Sequence, residues 1–273
     1  LGKNPPNGAI VDFVLSEVSD SIPIDLEFLN ASGDVLRSFS SKLEEGETDS
    51  STVLKAKPGH NRFAWDLRHE QVEGVPGLYV WGSLQGHKVT PGSYEVRLSV
   101  GEEVFSQQLD VRADPRVDAT QRGYQDQSEL MEEISTELEE IHDGVLNIRA
   151  VREQVEALVN RMEKQEGHDS VVAVGKELME DLTALEDSLV QKRTVDGQTV
   201  INFPSRLNFQ YIYLRGAVDG ADGRVTDGAR QLYRDLSAIW ARYEIELDSL
   251  LGQRLDEFNS LVRSESVPAV LIP

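Results

Sequence analysis

Tyr79 and Trp81 are the residues of this chain best suited to binding chemistry. They stand two apart in Gly77-Leu78-Tyr79-Val80-Trp81-Gly82, within a long connection spanning 69–90. An aromatic pair on a loop can stack on a sugar ring or fill a pocket on a protein partner. A connection of this length without regular structure is uncommon in a compact domain and is often functional. The competing reading is structural: large aromatics are usually mostly buried, and the pair would then pin its own loop near a junction of larger elements. Internal packing of that kind is the expectation for Trp81. Trp65 and Trp240, on a strand face and an inward helix stripe, are expected in cores.

Other chemistry finds less support. The five histidines are His60, His69, His87, His142 and His168, and none stands in a His-x-x-x-His or His-Glu-x-x-His spacing. His60, His69 and His87 all flank the long connection and could converge on a metal. Without a ligand spacing they read as surface loop residues. Asp219, Asp222 and Asp227 lie in a glycine-rich turn that suggests calcium, but their spacing departs from a calcium-loop pattern. A helix C-cap followed by an N-cap accounts for the same residues. The chain has no cysteine, which removes disulfides, thiolate metal sites and cysteine nucleophiles. Paired carboxylates can cleave glycosidic bonds, but with 48 acidic residues their presence discriminates nothing. No glycine-rich phosphate loop follows a strand, and no Gly-x-Ser-x-Gly elbow occurs. We therefore expect no catalytic residue, no metal and no cofactor, with Tyr79 and Trp81 as the candidate binding residues.

The composition narrows the partners. The chain has 273 residues, enough for one or two domains, and its net charge is −21. Such a surface repels phosphate backbones, so nucleic acid is not an expected partner. No run approaches the roughly 20 apolar residues of a membrane-spanning helix. Leu1 at the start suggests a fragment or a processed form, and an internal fragment would show no signal peptide.

The elements that must position these residues change character along the chain. Residues 1–7 read as a linker. Alternating apolar residues predict strands over Ala9 to Leu15, Ile22 to Phe28, Val35 to Phe39, Phe63 to Leu67, Ser93 to Val100 and Glu103 to Val111, with a short edge strand at Val53 to Ala56. About seven short strands in roughly 115 residues suit an immunoglobulin-like or fibronectin-III-like β-sandwich. Tyr94, just inside its strand, fits the tyrosine corner of such domains. Ser40 to Ser51 reads as an acidic loop. Beyond Asp114-Pro115 the period becomes helical. Ile134, Leu138, Ile141, Val145, Ile148, Val155, Val159 and Met162 form a heptad-like stripe, interrupted by Arg152. Asp118 or Thr120 can cap that helix. A second helix begins near Ser170, a loop covers Thr194 to Asn202, Pro204 opens a third, and Thr226 caps a fourth. At about 1.5 Å per residue, these lengths suit an antiparallel bundle of three long rods with the middle one broken. The expected domains are a sandwich over 1–116, a bundle over 117–263 and a tail over 264–273, with the boundary inside Ala113 to Thr120.

Certain motifs carry a resemblance. Asn61-Arg62-Phe63-Ala64-Trp65-Asp66-Leu67-Arg68, followed by Pro91-Gly92-Ser93-Tyr94-Glu95-Val96-Arg97-Leu98, resembles the region after the propeller in large bacterial proteins with sortilin-type or BNR/Asp-box repeats, often labelled glycosyl hydrolases. Gly2-Lys3-Asn4-Pro5-Pro6-Asn7-Gly8-Ala9-Ile10, Asn202-Phe203-Pro204 and Leu207-Asn208 are similar to the same region, so the likeness spans nearly the whole chain. More distantly, the Trp-Asp and Pro-Gly-x-Tyr pair resembles the immunoglobulin-like domain of the flagellar hook-capping protein. None of these motifs is catalytic, and this chain contains no Asp-box. The resemblance implies secretion or a periplasmic location, an upstream β-propeller as partner, and a non-catalytic accessory role in docking, spacing or partner binding. The alternative is a carbohydrate-binding module using the loop 69–90, and a third option is an independent hydrolase.

Overall fold

The computed structural model describes residues 4, 6–19, 21–42, 52–193, 202–220 and 222–267. The bulk of the expected acidic loop, almost all of the Thr194 to Asn202 loop, most of the entry linker and most of the C-terminal tail lie outside the described residues. The fold is mixed β and α, with six strands among the described residues followed by helices. It divides into two compact units that interleave along the chain instead of meeting at one residue. One comprises 1–72, 85–129 and 221–224. The other comprises 73–84, 130–220 and 225–273.

The first unit holds β1 (Ala9–Leu15), β2 (Ile24–Leu29), β3 (Val35–Ser40), β4 (Gly59–Trp65), β5 (Gly92–Val100) and β6 (Glu103–Val111). They form two antiparallel sheets, β1-β4 and β3-β2-β5-β6. Alternation along β2 and β5 sends Ile24, Leu26, Phe28, Tyr94 and Val96 into one core with Leu15, Phe39 and Trp65. Trp65 is fully buried and stacks on Phe28 at 4.2 Å between ring centroids. Its indole N–H donates to the Arg68 carbonyl at 3.0 Å, which satisfies the polar atom that burial would otherwise strand. The expected strand at Val53 to Ala56 is reduced to a single parallel bridge, Ser40↔Val53. β4 ends at Trp65, earlier than expected, because Leu67 takes a left-handed backbone at φ +62°.

Helix α1 (Gln121–Met162) follows. Thr120 caps it, its hydroxyl accepting from the Gly123 N–H at 3.0 Å. β6 thus ends at Val111 and the first helix begins at Gln121.

The second unit contains α1 from Leu130 onward, α2 (Asp169–Leu189), α3 (Leu207–Asp219) and α4 (Asp227–Ser249). A π-helical turn at Leu250–Arg254 then leads into α5 (Leu255–Ser264). Every member of the α1 stripe from Ile134 to Met162 is buried. Side chains tie α1 to its neighbours: Tyr211 of α3 and Ser237 of α4 both donate to Glu137, and the Trp240 indole donates to Glu140. The Thr226 hydroxyl caps α4, accepting from the Ala229 N–H at 3.1 Å. Two features differ from the sequence reading. α3 starts at Leu207, not at Pro204, because Arg206 is extended. The last helix is not continuous: the π turn falls where Gly252 weakens helical preference, and Arg254 there reaches Glu177 and Asp181 of α2.

Candidate functional site

Residues 73–84 form a strap belonging to the helical unit. Its sequence is too irregular for a helix or strand, so its backbone groups need partners elsewhere. Three buried or half-buried side chains supply them. His142 Nδ1 of α1 donates to the Glu73 carbonyl at 2.7 Å. Arg149 Nη1 of α1 donates to the Pro76 carbonyl at 2.8 Å, and Arg215 Nη1 of α3 to the Ser83 carbonyl at 3.3 Å. Val75 is buried beside these bonds. Gly82 adds a steric requirement. Its φ is +132°, and a Cβ there would come within 2.7 Å of Ile212 Cγ2 on α3.

The strap is therefore fastened near both ends, and its apex carries the candidate pair. Tyr79 is 42 % and Trp81 48 % exposed, with ring centroids 6.5 Å apart and planes tilted by 49°. The expectation that Trp81 packs inward does not describe this arrangement, since hydrogen bonds to backbone carbonyls hold the loop while its large aromatics remain half in water. Together with Val80, Phe203, Phe209 and Ile212 they line a groove, across which Gln191 Nε2 donates to the Pro204 carbonyl at 3.1 Å. The guanidinium of Arg193 lies 5.8 Å above the Phe203 ring. The interior volume is about 30 Å³, far below the roughly 300–1,000 Å³ of a small-molecule pocket. The groove therefore presents a surface and does not enclose a ligand.

Behind the strap sits a buried charge that the sequence reading missed. Glu186 of α2 is fully buried, and Arg149, Arg152 and Lys192 all bond to its carboxylate. Burial alone would raise this carboxyl group's pKa, but the hydrogen bonds from Arg149 and Arg152 outweigh it and hold the group below its ordinary value. Arg152, the break in the apolar stripe, is thus explained. An arginine inside an inward stripe was the available signal that a buried acid must face it.

The three histidines that flank the long connection fall into two environments. His69 and His87 come together, their rings stacked at 4.0 Å. His87 is buried and not a surface loop residue, because its segment pairs with 67–69 through Val89 N–H to the Leu67 carbonyl and His69 N–H to the His87 carbonyl. Its Nε2 lies 3.2 Å from Ser128 Oγ, a nucleophile-and-base distance, but at 6 % exposure the imidazole is closed to a substrate. His60 stands apart, paired with Asp12 on the surface. Among the described residues, no group of three or more His, Asp or Glu could hold a metal ion. In the acidic turn, Asp222 pairs with Lys88 at 3.0 Å.

The chain matches no family model, no curated protein and no solved structure. Among the described residues, no helix is long and apolar enough to cross a membrane.

Proposed function

We propose that this chain is a non-catalytic docking region, the part that follows the propeller in an exported bacterial protein of the sortilin-type, BNR-repeat kind. In this reading the strand unit is an immunoglobulin-like sandwich. The helical unit is an antiparallel bundle of three long rods, the middle one broken between α2 and α3. Support for the sandwich comes from the common core of its two sheets and from Tyr94, whose hydroxyl donates to the Thr90 carbonyl in the manner of a tyrosine corner. Support for the bundle comes from the bonds that α1 makes to α2, α3 and α4. Support for the parent protein is the motif resemblance alone.

The observation that carries the proposal is the strap. Tyr79 and Trp81 stay half exposed on a loop whose backbone is fixed by three side-chain donors. A fixed loop presenting large aromatics loses little entropy on binding, and such residues anchor interfaces. The occupant proposed is the upstream propeller of the same parent chain.

The test is titration of the isolated propeller against this chain. Trp81→Ala should weaken association by about 2 kcal/mol, roughly thirtyfold. It should cost the fragment only about 1 kcal/mol or less, because the side chain is already half in water. Unchanged association would remove the proposal. Binding to a glycan array in place of the propeller, lost in Trp81→Ala, would install the carbohydrate-binding reading.

A further inference from the structure

Among the described residues, β6 is the end strand of the four-stranded sheet, and it pairs with β5 from Gly92↔Val111 to Val100↔Glu103 without a register shift. The opposite end of the sheet is built differently. The pairing of β3 with β2 shifts at Phe28/Leu29, and Ser40 of β3 meets Val53 in a parallel bridge. Exposed edges are ordinarily guarded by charged side chains, above all lysine, by proline or by a bulge. β6, reading Glu-Val-Phe-Ser-Gln-Gln-Leu-Asp-Val, has no lysine, proline or bulge, and its two charges, Glu103 and Asp110, lie towards its ends. Val104 is 59 % and Phe105 56 % exposed.

The hairpin turn fixes which backbone groups face outward. Gly101, at φ +59°, is the first of two loop residues between Val100 and Glu103, the place a type II′ turn gives to glycine. Val100↔Glu103 is then a hydrogen-bonded pair, so the odd-numbered residues of β6 bond to β5. The N–H and C=O groups of Val104, Ser106, Gln108 and Asp110 point away from the sheet.

We propose that β6 pairs with β6 of a second copy of this chain, antiparallel about a two-fold axis at Gln107. In that register Val104 bonds to Asp110 of the second copy and Ser106 to Gln108. Phe105 faces Leu109 of the second copy in a non-hydrogen-bonded pair, where cross-strand side chains are closest. No like charges meet: Glu103 stands opposite Val111, and Asp110 opposite Val104. An axis at Ser106 or Gln108 would break the Phe105–Leu109 pair. Pairing a strand with itself is isologous and closes at two subunits. The net charge of −21 opposes association, and salt screens that repulsion, so the dimer should strengthen as ionic strength rises.

The experiment is sedimentation equilibrium of the whole chain at about 0.05 M and about 0.5 M salt, with two variants. Wild type is expected to dimerise, more at the higher salt. Phe105→Lys should weaken dimerisation at least about tenfold, and at a concentration where both proteins are monomeric its melting temperature should match wild type, since the side chain is already largely in water. The absence of native cysteine allows a direct check of register. Gln107→Cys should form a disulfide-linked dimer under mild oxidation, whereas Val14→Cys, at a 73 % exposed position on β1, should not. A monomer at both salt concentrations would overturn the proposal. So would Gln107→Cys cross-linking no faster than Val14→Cys, or Phe105→Lys associating like wild type.

Discussion

Glu186 shows how much one buried side chain can hold. Its carboxylate joins Arg149 and Arg152 of α1 to α2, and Arg149 passes the connection on to the strap through the Pro76 carbonyl. Breaking a buried pair by removing one partner costs about 3–5 kcal/mol, because a charge is left uncompensated. Here the two guanidinium side chains are 28 % and 26 % exposed, so water recovers part of that cost. Glu186→Gln should therefore destabilise the helical unit by about 2–4 kcal/mol in urea unfolding. A loss below about 0.5 kcal/mol, the size of an ordinary surface change, would show that the cluster is incidental. Residue-level reading of the sequence singles out Tyr79 and Trp81 as candidates, because two aromatics within a long irregular segment stand out. It could not locate Glu186, which lies between Leu185 and Asp187 and looks like any other acid in an acidic chain. Only the arginine breaking the α1 stripe hinted at it.

At the scale of elements, local periodicity carried most of the fold. β5 alternates strictly from Tyr94 to Val100, β1 and β6 do so only in part, and the observed spans of all three agree with the expected ones to within a residue. The α1 stripe is buried throughout. What the pattern could not carry was the strap, whose stabilising bonds join residues about seventy or more positions apart, such as His142 with Glu73. The burial of His142 makes this attachment of the strap sensitive to pH. Burial holds His142 below its ordinary pKa of 6.5, against a smaller raising effect from its bond to Glu73. The folded protein then resists a proton that the unfolded chain accepts freely. Stability from this site is full above the unfolded value and is lost as pH falls from about 7 towards the lowered folded value. His142→Asn keeps an N–H to donate to the Glu73 carbonyl but cannot titrate in this range. Between about pH 7.5 and pH 5.5, the melting temperature of wild type should fall further than that of His142→Asn. Parallel slopes for the two proteins would mean that His142 does not report on folding.

At the scale of the whole molecule, a boundary drawn where strands give way to helices cuts across physical allegiance. Residues 73–84 lie between β4 and β5 in the chain, yet they group with the helices. A fragment starting at residue 117 would contain every helix and none of the strap. It would lose the burial of Val75 and leave His142, Arg149 and Arg215 without the carbonyl oxygens of Glu73, Pro76 and Ser83. Burying a valine contributes about 1.5 kcal/mol or more, and each hydrogen bond about 0.5–1.5 kcal/mol net, more where the donor is charged. The cost of ordering twelve residues of strap opposes these gains, so the net effect should be a few kcal/mol. The prediction is that 117–267 expressed alone folds as a helical protein but unfolds in urea with a midpoint well below that of the helical transition in the intact chain. Adding a peptide of residues 73–84 in excess should raise the midpoint, as any ligand that binds only the folded state does. The same peptide carrying Val75→Asp should not. A fragment as stable as the intact helical unit, and indifferent to the peptide, would mean that the strap only rests on the helices, and the fixed presentation of Tyr79 and Trp81 would then lose its physical basis.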